Sequence, residues 1–476
     1  MPLNRGKTPR LTANFRRFYE DESDNKLALL ALEEVNEYIF ITNMHNKPST
    51  YKQAINGIDR KHWLKAMQEE VQELVDSNTW RLVNLPKGRI ALGGRWVYKL
   101  KTDSNGNIVR YKARWVVQGF NQVLGIDYLE TYSTTCRPEC YRLFLLIAMA
   151  SKWVILQYDI QSAFTHARID REIYVIQPTR FAQGTKVCLL LKALYGLKQS
   201  PRLWYKHLKE ELEKEGFTAF PFDEGIFIHQ KYSIILVCHV DDFYVTGPNQ
   251  AQIDQVMENL GKRLKIKFLG AVSDFLGNEI ALDYENQTVY IHQTKYTQKI
   301  LEKYHKLNAG IYGVTTPCEP GIKLRESKQN ATKEEIKRFQ QEIGSLLYLS
   351  LKTRPDITFA VQRCSRYSKN PDKDHFKALQ RIWQYLVKYP DLGLYYKCKD
   401  LKNNFFIKNY CDSDWANDLD NRSSTEAYIS CLGSAPINWK IKLQTTTATS
   451  STEAEYMALK GATQESIYLL NMLHWL

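Results

Sequence analysis

No apolar run in this sequence reaches the roughly 18 residues that a membrane span requires, and the N-terminus carries no apolar signal region. Nine cysteines are present, an odd number, and they are scattered without paired spacing. Cys136 and Cys140 are the nearest to one another, but no second Cys/His pair with metal-ligand spacing accompanies them. A zinc site is therefore disfavoured, and free thiols in a reducing compartment fit better. Tandem repeats are absent. Acids are scarce where bases crowd: residues 81–120 hold nine basic side chains (Arg81, Lys87, Arg89, Arg95, Lys99, Lys101, Arg110, Lys112 and Arg114) against the single acid Asp103. Together these absences describe a soluble intracellular protein with no membrane partner.

What is present sharpens that picture. The 476 residues allow two or three domains with real cores, and the 44% hydrophobic content argues against general disorder. Lys and Arg number 65 and Asp and Glu 52, a net charge of +13 that suits a polyanion. Within 81–120, Tyr98, Tyr111 and Trp115 could stack or pack beside the bases. A basic β-hairpin face with Asn105-Gly106 as its turn is the plainer account of the same residues.

Residues 1–50 read as a polar tail or linker, with a short helix near Leu27–Val35. Beyond them, Trp63, Met67, Val71 and Leu74 recur at helical spacing. Strands follow at Trp96–Leu100 and Arg114–Gln118, then a helix over Arg142–Ser151. Trp153–Asp159 reads as a buried strand ending on a carboxylate. Residues 202–215 read as an amphipathic helix. Tyr232–Val240 reads as an apolar strand, Asp241-Asp242 as a tight turn and Phe243–Thr246 as the return strand. Another helix covers 251–265, a helical region spans about 290–390, and strands resume near 400 before a long helix from Thr452. The order predicts an α+β core, a helical appendix and a small terminal α/β unit.

Asp159 at the end of one apolar strand, with Asp241 and Asp242 at the tip of a buried hairpin, is an arrangement suited to phosphoryl transfer. Such chemistry needs two divalent ions about 4 Å apart, and Mg²⁺ takes hard oxygen ligands. Two adjacent Asp residues repel one another, and a structural turn would favour Asn-Gly or Asp-Gly. An Asp-Asp dipeptide alone is still more often a solvated turn, so the surrounding motifs decide.

Those motifs are specific as a set. His239-Val240-Asp241-Asp242 resembles the Tyr-x-Asp-Asp box of reverse transcriptases, and Tyr158-Asp159-Ile160-Gln161-Ser162-Ala163-Phe164 resembles their first carboxylate motif. Leu194-Tyr195-Gly196-Leu197-Lys198-Gln199-Ser200-Pro201-Arg202-Leu203-Trp204 resembles a box of copia-type retrotransposons. Tyr111-Lys112-Ala113-Arg114, Gln118-Gly119-Phe120, Phe275-Leu276-Gly277-Asn278-Glu279-Ile280 and Thr353-Arg354-Pro355-Asp356-Ile357 extend the likeness from about residue 50 to the end.

The resemblance implies a right-hand polymerase of fingers, palm and thumb, followed by a partial ribonuclease H-like α/β unit. It implies the divisions 1–50 tail or linker, 51–290 fingers and palm, 291–395 a mainly helical thumb or connection, and 396–476 a truncated ribonuclease H-like domain. It makes Asp159, Asp241 and Asp242 the catalytic, metal-holding carboxylates for Mg²⁺ or Mn²⁺. Phe164 takes the place of the gate against a ribose 2′-hydroxyl, and Gly196 a place where backbone lies against template or incoming nucleotide. Lys112 and Arg114, on one face of a strand by alternation, become candidates for gripping the triphosphate, with Lys99 a weaker one. Phe275–Ile280 resembles the segment that holds the primer terminus. The implied partners are an RNA template, a DNA primer, dNTPs and other products of the retroelement polyprotein, in a cytoplasmic retroelement particle or the nucleus.

In the last unit the resemblance assigns Asp412 and Glu455 to a ribonuclease H remnant, with Asp414 the weaker of its pair. Ser450 and Glu453 fit a capping box, although Thr452 and Glu455 share that spacing. A later strand with a further catalytic Asp is not in the sequence, so ribonuclease H activity is not expected from these residues alone. His239, His166-Ala167-Arg168, and Cys136 with Glu139-Cys140 depart from the family pattern and read as drift. Two expectations follow: an active RNA-directed DNA polymerase, or an inactive retroelement relic that keeps the fold and binds nucleic acid.

Overall fold

The computed structural model describes residues 47–102, 108–305, 312–403 and 406–475. Residues 1–46, including the helix expected near 27–35, and the Asn105-Gly106 turn lie outside the described residues. Thr50 caps a short first helix, α1 (Tyr51–Asn56), its hydroxyl accepting from the Gln53 amide, and α2 (Arg60–Asp76) follows. Trp63, Met67 and Leu74 on α2 pack against a two-stranded antiparallel ribbon. The strands at the N-terminal end are β1 (Trp80–Val83), β2 (Gly94–Thr102) and β3 (Ile108–Val117), of which β2 and β3 form that ribbon. Trp96, Tyr98, Trp115 and Val117 point into the core and leave alternate residues on the open face.

Next come α3 (Pro138–Ala150), β4 (Val154–Ile160), β5 (Tyr174–Val175), β6 (Val187–Leu190) and α4 (Ser200–Lys214). α3 begins four residues earlier than the sequence pattern suggests, because Pro138 at its first turn has a φ already suited to a helix start. Then follow β7 (Thr218–Phe220), β8 (Asp223–His229), β9 (Ile234–His239), β10 (Asp242–Gly247), α5 (Gln250–Gly261) and β11 (Ile266–Ala271). Six of these strands form one antiparallel sheet in the order β11-β4-β10-β9-β8-β7.

Both faces of this sheet are covered, which is why Ile234–Val237 is apolar without alternation. Leu156, Tyr158, Leu236, Phe243 and Val245 pack with α4 and α5 through Trp204, Leu208, Val256 and Leu260. Ile155, Ile235, Val237 and Tyr244 face the other way, onto α3.

A four-stranded sheet follows, β12 (Asp274–Phe275), β13 (Asn278–Asp283), β14 (Thr288–His292) and, after the helices α6 (Thr294–His305), α7 (Lys333–Lys352), α8 (Pro355–Ser365) and α9 (Lys373–Lys388), β15 (Leu394–Lys397). β14 pairs with β15, so the helical segment leaves and re-enters one sheet. The boundaries expected at 290/291 and 395/396 therefore fall inside paired strands. The last unit holds β16 (Ile407–Asp414), β17 (Thr425–Leu432), β18 (Ala435–Leu443) and α10 (Ser451–Trp475).

This last unit is not a separate bead. Leu432, Ile437, Trp439, Leu469 and Met472 share one core with α3, β4 and the four-stranded sheet. Arg142 on α3, 1% exposed, donates to the carbonyls of Ile437 (2.8 Å) and Lys352 (2.6 Å), and its guanidinium lies 4.4 Å from the Trp439 ring centre. A cation at the last carbonyls of α7 also suits the negative end of that helix.

Candidate active site

The hairpin that carries two of the aspartates differs by one residue from its expected form. β9 ends at His239, which pairs with Asp242, so the two-residue turn is Val240-Asp241 and Asp242 is already in β10. Val240 takes φ +59°, a costly value for a β-branched residue. Two contacts hold it. The buried Trp204 indole on α4 donates to the Val240 carbonyl at 2.7 Å, and the Ile160 amide donates to the Asp241 carbonyl at 2.8 Å.

Register then fixes the carboxylates. Asp159 in β4 lies opposite Asp242 in β10 and, on its other side, opposite Lys267 in β11. Directly opposed residues share a face of the sheet, so Asp242, Asp159 and Lys267 form a row across three strands. All three aspartates are half-buried. Burial raises the Asp159 carboxyl, Asp241 raises it further, and Lys101, Lys112 and Lys267 pull it back. Asp242 is pushed up to about 6 by burial, then by Asp241 and Asp159.

The open face of the β2–β3 ribbon supplies the opposing charge. Lys99 pairs with Lys112, Lys101 with Arg110, and Val97 with Arg114. Burial and then the other cations of this ladder lower the Lys99 and Lys112 ammonium groups, while Asp241 acts on Lys99 in the opposite sense. Beneath the ribbon, burial lifts Glu70 on α2 to about 7 while it accepts the Trp115 amide at 3.2 Å. Glu73 accepts the Ser162 hydroxyl and ties α2 to the loop that carries Phe164.

Phe164 stands in a single 3₁₀ turn, Ala163–His166. Its ring meets Tyr195 edge-on at 4.9 Å, and Arg114 lies 4.6 Å over the other ring of the pair. Arg114, Tyr195 and Phe164 thus form one stack, which leaves Lys112 beside the aspartates. Gly196 takes φ +92°, and a Cβ there would sit 2.1 Å from the Val117 carbonyl. Its lack of a side chain is demanded by the chain's own β3, a cause independent of any bound nucleotide.

The three aspartates offer oxygen donors whose like charges crowd one another, a donor set of the type that hard divalent cations take. Among the described residues, no three His, Cys, Asp or Glu side chains already stand together as a metal cage. Asp412 and Glu455 are exposed and meet only around Cys411, whose thiol is raised by burial, then by Glu455 and Asp412. Glu453 is occupied at the start of α10: its amide donates to Ser450 Oγ at 3.2 Å, and its carboxylate accepts from the Thr449 amide and hydroxyl. The cap therefore reaches back one residue further than the capping box expected.

Two departures from the family pattern have a packing role. Cys140 Sγ lies 3.3 Å from the Tyr468 hydroxyl of α10, and Glu139 is buried in the same seam. His239 is lowered to about 4 by burial, then by Lys352. The sequence pattern missed Trp204, Lys101, Lys267 and Tyr195 as site residues. Trp204 and Tyr195 were within a recognised box, whereas Lys267 is brought in by a strand pairing no local signal reveals.

The profile of the family described as reverse transcriptase (RNA-dependent DNA polymerase) matches residues 77–320. The retrovirus-related Pol polyprotein from transposon TNT 1-94 of Nicotiana tabacum is 34% identical over 449 residues, covering 92% of this chain and 33% of that protein. The corresponding polyprotein from transposon RE1 of Arabidopsis thaliana is 35% identical over 427 residues, 88% of this chain and 28% of that protein. The chain thus spans about a third of the length of these polyproteins. Among solved structures, a foamy viral protease-reverse transcriptase in complex with RNA/DNA hybrid overlaps 98% of this chain and 57% of its own, at 12% identity and a TM-score of 0.44. No helix among the described residues is long and apolar enough to cross a membrane.

Proposed function

This chain belongs to the reverse transcriptase (RNA-dependent DNA polymerase) family, in its copia-type retrotransposon branch, and from that premise we propose that it catalyses RNA-directed DNA synthesis at Asp159, Asp241 and Asp242. The reaction joins the α-phosphorus of a dNTP to the primer 3′-hydroxyl and releases pyrophosphate, copying an RNA template. The observation that carries this reading is the row Asp242–Asp159–Lys267 beneath the basic ribbon, with Asp241 at the adjoining turn.

Asp159, Asp241 and Asp242 would hold Mg²⁺ or Mn²⁺. The chemistry such ions supply when bound is a lowered pKa at the primer hydroxyl and neutralisation of the leaving pyrophosphate. The protein's own part is positioning and charge. Lys99, Lys101 and Lys112 face the aspartates from the ribbon and grip the triphosphate. Arg114, stacked on Tyr195, holds that ring against Phe164. The Phe164 ring in turn disfavours a polar 2′-hydroxyl. We assign no nuclease step to Asp412 and Glu455. With an RNA template, a DNA primer and dNTPs as its partners, the chain would work in a cytoplasmic retroelement particle or the nucleus, beside other products of the polyprotein.

Primer extension on an RNA template with dNTPs and Mg²⁺ tests the proposal. Asp241→Asn should lower the rate by about a thousandfold or more, as loss of a preorganised charge at a reacting centre does. Absence of extension by the wild type at every Mg²⁺ and Mn²⁺ concentration would sink the reading. Extension that survives Asp241→Asn would belong to a contaminating polymerase.

A further inference from the structure

We propose that His166, Arg168, Lys192, His207 and Lys265 form a second phosphate-binding surface, which takes the sugar–phosphate backbone of an unpaired nucleic-acid strand at the edge of the palm. The fold brings these residues together from four parts of the chain. Arg168 and Lys192 are partners in an isolated antiparallel bridge, flanked by hydrogen bonds from Ala193 to Ala167 (2.9 Å) and Ile169 to Leu191 (3.2 Å). The Gln161 amide donates to the Lys265 carbonyl at 2.9 Å, and the Gln161 carbonyl lies 3.2 Å from His166 Nε2. His166 and His207 flank the Trp204 ring at 5.9 and 6.1 Å.

Three members of this cluster, Arg168, Lys192 and Lys265, are cations of like charge. Among the described residues, none of Arg168, Lys192 and Lys265 is in an ion pair with a carboxylate. Burial lowers Lys192, and Lys265 and Arg168 lower it further; His166 is lowered by burial, with His207, Lys192 and Lys265 adding to the effect. A fold that keeps such a group together loses stability to its repulsion unless a polyanion neutralises it.

Two features favour an unpaired strand over an acidic peptide. Lys265 runs into β11, the edge strand of the sheet, where Lys267 lies opposite Asp159 on one face. Phe268, 53% exposed, offers a ring on the other, the face where Tyr158 and Trp204 share a core. A cationic track beside an exposed aromatic ring suits a backbone whose bases are free to stack.

The surface is tested without dNTPs or divalent cations, so its failure is separate from any failure of the polymerase reading. Anisotropy of a labelled 20-nucleotide single-stranded RNA is followed over a salt series. Replacing Arg168, Lys192 and Lys265 by Ala together should weaken binding at least about tenfold and reduce the slope of log K against log salt by about 2, near 0.7 per lost phosphate contact. Replacing Lys333, Lys337 and Lys373 by Ala removes the same charge from α7 and α9 and should leave the slope unchanged. Lys265→Glu, at an exposed side chain, gives the same reading should the triple variant misfold. Equal weakening by both triple variants, or an unchanged slope in the first, overturns the proposal. Displacement of the RNA by micromolar pyrophosphate, or by polyglutamate as readily as by RNA, overturns the strand as occupant.

Discussion

Asp159 and Asp242 lie on central strands of a six-stranded sheet, hydrogen-bonded on both sides, whereas Asp412 lies on β16, the edge of a three-stranded sheet, and Glu455 in the first turns of α10. The first pair is half-buried and answered by Lys101, Lys112 and Lys267; the second is exposed. Burial is what separates them. A carboxylate in a low-dielectric setting is costly when uncompensated, so the six-stranded sheet is faced by a basic ribbon and holds a pinned turn that an exposed pair does not need. Asp412→Asn should therefore leave primer extension within about twofold of wild type, against the thousandfold loss expected of Asp241→Asn. A comparable loss from both variants, measured in single-turnover extension, would erase the contrast.

The seam between the two regions is the next place to strike. Arg142→Ala would leave the Ile437 and Lys352 carbonyls buried without their donor, at a cost of about 3 kcal/mol or more. Amide exchange should accelerate along β18 and α10 well before it does in β4 and β10. Uniform acceleration across the chain would mean that the last unit and the six-stranded sheet open together, as one cooperative body.

Beside the six-stranded sheet, Trp204→Phe keeps most of the ring and removes only the bond to the Val240 carbonyl. Loss of about 1–1.5 kcal/mol at the strained turn should slow the extension step about tenfold, with primer affinity unchanged. An undiminished rate would show that strand register alone holds Asp241 and Asp242 in place.

The legible parts of this molecule were those written in consecutive residues. Apolar strands ending in Asp159 and flanking Asp241-Asp242 could be read because both faces of the sheet are covered. The turn slipped by one because propensity puts Asn, Asp or Gly at positive φ, and here Val240 takes it while Trp204 bears the strain. Lys267 was invisible because its partner is about a hundred residues away in sequence. The motif around Gly196 suggests a nucleotide contact, yet β3 already forbids a side chain there. Glu139 and Cys140 resemble drift in the sequence because what they meet, α10, lies more than 300 residues on.

Glu139 yields the smallest effect and sharpens that last point. Burial, then Glu465 across the seam, lifts its carboxyl to about 7, against relief from Arg137 and Arg142. Below the ordinary value near 4.5 the side chain is protonated whether folded or unfolded, so it adds no pH dependence. Between there and 7 the unfolded chain ionises while the folded one keeps its proton, and stability falls as pH rises. Above 7 the folded and the unfolded chain are both ionised, and the loss is complete. Glu139→Gln should remove this slope, so its melting midpoint should gain on wild type by about 2–4 °C between pH 5 and pH 8. An identical slope in the variant would mean that Glu139 ionises freely, and that α10 is not seated on α3 as tightly as Cys140 and Tyr468 place it.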